Sequence, residues 1–176
     1  MAHHTIRARS ASAWTEFARR VQRCSTAARS SSLGLSTWVG DDGVVLVHVE
    51  AAGQGPSGSV WVRARSRIGT VVALWKGEPV DVGGQHRVEW TVDEDIAWQV
   101  NTWLAFTAAP GLSSEGDRIT FRGRLDLTED GAAFLNMGEV SILFDLADPP
   151  PPQDADATWV DVRVARDSVT LWPYHL

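Results

Sequence analysis

Residues 59–75, SVWVRARSRIGTVVALW, decide the fold class of this chain. Small side chains alternate with large or charged ones along the first half: Val60, Trp61, Val62, Arg63, Ala64, Arg65, Ser66 and Arg67. A period of two places successive side chains on opposite faces of a β-strand. The second half, TVVALW, is rich in the β-branched and aromatic residues that strands favour. The stretch therefore predicts two β-strands.

Short strand-like stretches recur through residues 33–176. They include VVLVHVE, HRVEWTV, RITFRGRLDL, AAFLNMG, VSILFDL, TWVDVRV and SVTLWPY. Turn sequences separate them: GDDG at 40–43, GG at 83–84, TEDG at 128–131 and ARD at 165–167, where we expect the last two strands to form a hairpin. The pattern predicts a single all-β domain, an antiparallel barrel or sandwich of about 8–10 strands.

Residues 1–32 differ in character and predict a basic N-terminal amphipathic helix followed by a linker. Within 12–24, the spacing of Trp14, Phe17, Val21 and Cys24 places them on one helix face. Residues 1–33 carry a net charge of +5, whereas the remainder carries −11. We expect the basic segment to contact an acidic partner or to fold back on the acidic body.

The stretch 93–106, DEDIAWQVNTWLAF, fits both a strand and a helix. A strand would align Ile96, Trp98, Val100, Leu104 and Phe106 on one face. A helix capped by Asp93 would group Ile96, Val100, Trp103 and Leu104. We favour the strand because it leaves fewer apolar side chains facing water.

Composition limits the possible environments and partners. The single cysteine excludes an internal disulfide. The sequence contains no run of about 18 apolar residues, so we expect no membrane span. The acidic body would repel phosphate backbones, so we expect no nucleic acid partner. Fifteen arginines against one lysine suggest a GC-rich bacterial genome, and hence a cytoplasmic protein. The histidine and cysteine spacings predict no metal site, and we expect no cofactor.

The glycine pattern GQGPSGSV at 53–60 resembles the phosphate-binding loop of protein kinases, with Lys76 sixteen residues beyond its valine. The H-R-D and D-F-G motifs that kinase chemistry needs do not accompany it. A strand follows the pattern rather than the helix that a dinucleotide-binding fold requires. We therefore interpret the stretch as a loose hairpin loop.

Two neighbouring strands present a polar face. The alternation places His48 and Glu50 opposite Val47 and Val49 in one strand, and four side chains on one face of the next: Trp61, Arg63, Arg65 and Arg67. If the strands pair across the 52–58 loop, these side chains form a platform that can grip a carboxylate or phosphate. A solvated outer face with salt bridges is the plainer interpretation.

Nine tryptophans in 176 residues suggest a second possibility. Trp90, Trp98 and Trp103 could line a ligand cavity, or they could simply fill the core. We predict an intracellular, non-enzymatic binding protein for a protein partner or an apolar small molecule. The alternative is a cofactor-free cyclase or isomerase with a tryptophan-lined barrel cavity, a type of catalysis that leaves no motif.

Overall fold

A computed structural model describes residues 45–55, 58–138 and 140–174 of the chain. These residues are mostly in β-strands and, among them, no α-helix occurs. The predicted helix at 12–24, the linker up to residue 32 and the GDDG turn lie outside the described residues. No helix in the described part is long and apolar enough to cross a membrane.

The described residues form eleven strands, rather than the eight to ten predicted. They are β1 (Val45–Gln54), β2 (Val60–Ser66), β3 (Gly69–Trp75), β4 (Gln85–Val92), β5 (Thr102–Leu104), β6 (Gly111–Glu115), β7 (Arg118–Leu127), β8 (Ala132–Asn136), β9 (Ser141–Asp145), β10 (Trp159–Ala165) and β11 (Val169–Pro173). The sequence pattern missed β6, GLSSE, because it offers only one apolar side chain, Leu112.

Five strands close into a barrel in the order β1-β2-β3-β11-β4, with β4 returning to β1. β3 and β11 run parallel, and the other four pairs are antiparallel. The alternating residues predicted to face inward are buried, among them Val47, Val49, Val62 and Ala64. Of the two predicted architectures, barrel or sandwich, the described residues confirm an all-β barrel, but the parallel β3–β11 pair departs from the predicted antiparallel arrangement.

The remaining strands form a second sheet that joins the barrel through β3. Gly69 and Thr70 of β3 pair in parallel with Leu112 and Ser113 of β6. The sheet continues through β7 and β10 to β5, while β8 and β9 extend from the second half of β7. Trp90 of the barrel packs edge to face against Phe121 of β7, with ring centroids 5.8 Å apart, within a single hydrophobic core that both sheets share.

The predicted hairpin between the last two strands is wrong. A single 3-10 turn at Arg166–Ser168 links β10 to β11, but the two strands do not pair. β7 and β5 already occupy the two edges of β10. β11 therefore crosses to the barrel, where it fills the gap between β3 and β4.

The stretch 93–106 is neither one continuous strand nor a helix. It makes isolated bridges at Ile96 and Trp98, turns at 99–101 and forms only the short strand β5. Gln99 has a φ of 60°, and the buried Asn101 side chain accepts from the Ala97 amide at 2.8 Å. These turn interactions outweigh the apolar alternation, so Val100, Leu104 and Phe106 are exposed rather than packed on a common face.

Two of the predicted glycine turns, at 83–84 and 128–131, are confirmed. Gly83 and Gly84 both have positive φ where the chain turns into β4, and the TEDG turn links β7 to β8. The four prolines at 149–152 lie outside every strand, as expected for residues without a backbone donor.

Candidate functional site

β1 and β2 form the antiparallel pair that the polar platform requires. His48 lies opposite Arg65, and Glu50 lies opposite Arg63. The described part of the GQGPSGSV stretch closes a hairpin, as predicted: Gln54 pairs with Val60, and the Gly55 amide donates to the Ser59 carbonyl at 2.7 Å. Because Val47 and Val49 point into the barrel, His48 and Glu50 point outward.

Glu50 lies between the two basic groups of this platform. Its carboxylate is 3.5 Å from the His48 imidazole Nε2 and 3.3 Å from the Arg65 guanidinium Nη2. The Arg65 side chain is 53% exposed and that of Glu50 39%, so solvent screens the pair strongly. Exposed ion pairs of this kind add little stability, and Arg65 can therefore exchange Glu50 for a ligand anion at small cost.

A pocket of about 570 Å³ opens beside this platform. Its rim carries His48, Arg65 and Arg67. Its floor includes two buried side chains, Met137 and Val140, from the turn between β8 and β9. The barrel thus supplies the basic rim, and the second sheet supplies much of the apolar floor.

The pocket combines two kinds of recognition in one space. Guanidinium groups present paired N–H donors that match the two oxygens of a carboxylate or phosphate. The apolar floor can hold a hydrocarbon or aromatic body next to that anion. Its volume lies within the range typical of small-molecule sites.

The other residues of the predicted platform lie apart from the pocket. Arg63 is exposed on the outer face of β2 but does not line the pocket. Trp61 is half-buried, and the Arg166 guanidinium lies over its ring at 4.6 Å from the centroid. The structure therefore separates Arg65 and Arg67 from Trp61, which packs as part of the fold.

The three candidate wall tryptophans occupy three different environments. Trp90 is buried and, among the described residues, its indole N–H has no hydrogen-bond acceptor. Trp98 is half-buried against the core, whereas Trp103 is 40% exposed on β5. None of these three residues lines the pocket beside the platform.

Sequence reasoning missed the residues that complete the pocket. Ile68, Gln85, Pro110 and the β8–β9 turn all line it, although they are distant in the sequence. Strand periodicity shows which face a side chain takes, but it gives no information about which turn lies against which strand end. No signal in the sequence could have identified Met137 as part of the floor.

A smaller pocket of about 220 Å³ lies on the outer side of the second sheet and also includes Ile68. Arg122 and Asp161 meet there in a two-pronged ion pair, with N–O distances of 2.7 and 3.1 Å. The hydrogen bond that Arg122 donates to the Asp161 carboxylate raises the pKa of Arg122, although desolvation by partial burial opposes this effect.

No group of three or more histidine, cysteine, aspartate or glutamate side chains converges on a potential metal position within the described ranges. No family model, no curated protein and no solved structure matches this chain.

Proposed function

We propose that this protein binds an amphipathic anion, a carboxylate or phosphate attached to an apolar body, in the pocket between the barrel and the β8–β9 turn. The observation that supports the proposal is the placement of Arg65, Arg67 and His48 on the rim above an apolar floor. The protein performs no chemistry of its own on this ligand and acts in the bacterial cytoplasm, as the sequence led us to expect.

The proposal assigns separate roles to the rim and the floor. Arg65 and His48 lie on adjacent strands in direct register, so both can approach one anion from the same side. Leu46, which is 56% exposed, gives the pocket an open apolar surface, and the buried Met137 and Val140 pack behind this space. The charge fixes the orientation of the ligand, and the contact with the floor excludes water from it.

The test compares 4-phenylbutyrate with neutral 4-phenylbutanol, using isothermal titration calorimetry and amide shifts in ¹H–¹⁵N NMR spectra. The acid should bind and shift the amides of residues 65–68 and of Met137, Gly138 and Val140, and the alcohol should bind more weakly. Arg65→Ala and Arg67→Ala should each weaken binding of the acid by about tenfold, equivalent to about 1.4 kcal/mol.

Arg63→Ala is the matched control because Arg63 projects from the same face of β2 as Arg65 but does not line the pocket. It should leave the affinity unchanged. Equal affinity for the acid and the alcohol, or full retention of binding in Arg65→Ala, would show that the rim does not select anions.

A further inference from the structure

We infer that the natural occupant of this site is an extended segment of a partner protein that carries two acidic residues about six positions apart. The segment would continue from the pocket across the junction onto the outer face of the second sheet. This inference rests on the proposed function, because the first acidic residue occupies the anion pocket.

A continuous row of outward-facing polar side chains runs across six strands. The strand registers join its members in sequence: His48 to Arg65, Arg65 to Thr70, Thr70 to Ser113, Ser113 to Thr120, and Thr120 to Arg163. Directly opposed residues of neighbouring strands point to the same side of a sheet. All six residues are exposed or half-buried, so the row is accessible.

The two pockets lie along this row and share Ile68. The first pocket includes Arg65, and the second includes Ser113 and Thr120. A ligand confined to the first pocket would leave the second unused, although the same outward surface connects them. The two pockets therefore adjoin at Ile68, beside the β2–β3 turn, and the inferred segment would pass from one to the other there.

The dimensions of the row define the length of the occupant. Neighbouring strands lie about 4.8 Å apart, so the four steps from Arg65 to Arg163 span about 19 Å. An extended peptide advances about 3.3 Å per residue, and this distance therefore corresponds to about six residues. Arg65 and Arg163 are both about half-exposed and hold only weak partners, Glu50 and Glu115.

The chemistry between the two arginines favours a peptide over a nucleic acid. Thr70, Ser113 and Thr120 have hydroxyls that both donate and accept hydrogen bonds, which suits backbone amides. Glu50 and Asp161 lie beside the row and can accept hydrogen bonds from peptide N–H groups, whereas a phosphodiester backbone has no N–H donor to offer them. Acidic side chains at the two ends of the peptide would meet the two arginines.

The experiment uses two unlabelled ten-residue peptides of identical composition with blocked termini, measured by isothermal titration calorimetry. One places its two glutamates six positions apart and the other three positions apart, with serine and alanine elsewhere. The wider spacing should bind about tenfold more tightly and should shift the NMR amides of Thr120 and Arg163. Arg163→Ala should abolish that preference without changing the binding of 4-phenylbutyrate.

The outcomes separate the two proposals. Equal affinity for both spacings, or no effect of Arg163→Ala on the preference, would overturn the extended site. Binding of 4-phenylbutyrate in the same experiments would still support the anion pocket. Failure of 4-phenylbutyrate and both peptides to bind would overturn both proposals. Stronger shifts of Thr120 and Arg163 with a ten-residue oligothymidylate than with the peptide would assign the row to nucleic acid and overturn the inference. The thermal midpoint of Arg163→Ala, an exposed substitution, should match that of the original protein.

Discussion

Replacing Gly69 with alanine should weaken the junction between β3 and β6, because β6 approaches the β3 backbone closely at this position. Gly69 has a φ of 148°, and a Cβ there would overlap the backbone carbonyl oxygen of Leu112. Gly53 is the matched control: its φ of 153° is nearly the same, but a Cβ there would meet no atom within 4 Å. Both substitutions carry the same backbone strain, of about 1–3 kcal/mol.

Only Gly69→Ala adds the cost of separating the strands. The amide of Leu112 donates to the Ile68 carbonyl at 2.9 Å, and losing this hydrogen bond costs about 1 kcal/mol. Leu112 is 7% exposed, and partial exposure of a leucine side chain costs about another 1 kcal/mol. Gly69→Ala should therefore lower the free energy of unfolding by about 2 kcal/mol more than Gly53→Ala.

Urea unfolding followed by tryptophan fluorescence measures this difference. With a slope of about 2 kcal/mol per molar urea, the midpoint of Gly69→Ala should lie about 1 M below that of Gly53→Ala. Midpoints that coincide, or a lower midpoint for Gly53→Ala, would refute the reasoning that the approach of β6, rather than φ alone, requires glycine at position 69.

Two further predictions concern polar groups outside the pocket. Asn101→Ala should lower the free energy of unfolding by about 2–3 kcal/mol in urea unfolding, because the buried amide accepts from Ala97 and donates to Asp95; a loss below about 0.5 kcal/mol would contradict this. A double-mutant cycle on Arg122 and Asp161 should give a coupling of only about 0.5–1 kcal/mol, since the pair is partly exposed. The raised pKa of Arg122 means that its contribution is present below the unfolded-state pKa and is lost only as the pH rises through the folded-state pKa. The coupling energy should thus be constant from roughly pH 6 to 9. A marked fall in the coupling energy over that range would contradict a raised pKa of Arg122.

Local patterns predicted the parts of the fold that depend on neighbouring residues. The alternation in 59–67 identified the inward valines and the outward arginines of β2, because a period of two is a property of the strand itself. Paired glycines and the TEDG turn marked ends of strands for the same local reason. These features also predicted that His48 and Glu50 would lie beside arginines once β1 and β2 paired.

The pairing of strands that are distant in the sequence could not be predicted from local patterns. The ARD turn resembled a hairpin, but the pairing of β11 depends on which strand edges remain open after β7 and β5 flank β10. The apolar alternation of 93–106 was overridden by the side-chain hydrogen bonds of Asn101, which no periodicity describes. The apolar floor of the pocket comes from a turn about seventy residues beyond its rim, so the sequence pointed to the charged half of the site alone.

The path of the chain explains why the rim and the floor of the pocket belong together. The barrel takes four strands from before the second sheet and its fifth, β11, from after it. In the order of the chain, the second sheet is therefore inserted between the fourth and fifth strands of the barrel. The chain reaches β11, which pairs with β3 and β4, only after it has passed through β10. Gly69 joins the two sheets directly beside Ile68, the residue that both pockets share. The same close approach that links barrel to sheet also fixes the distance between the basic rim and the apolar floor, so the geometry of the site follows from the junction rather than from either sheet alone.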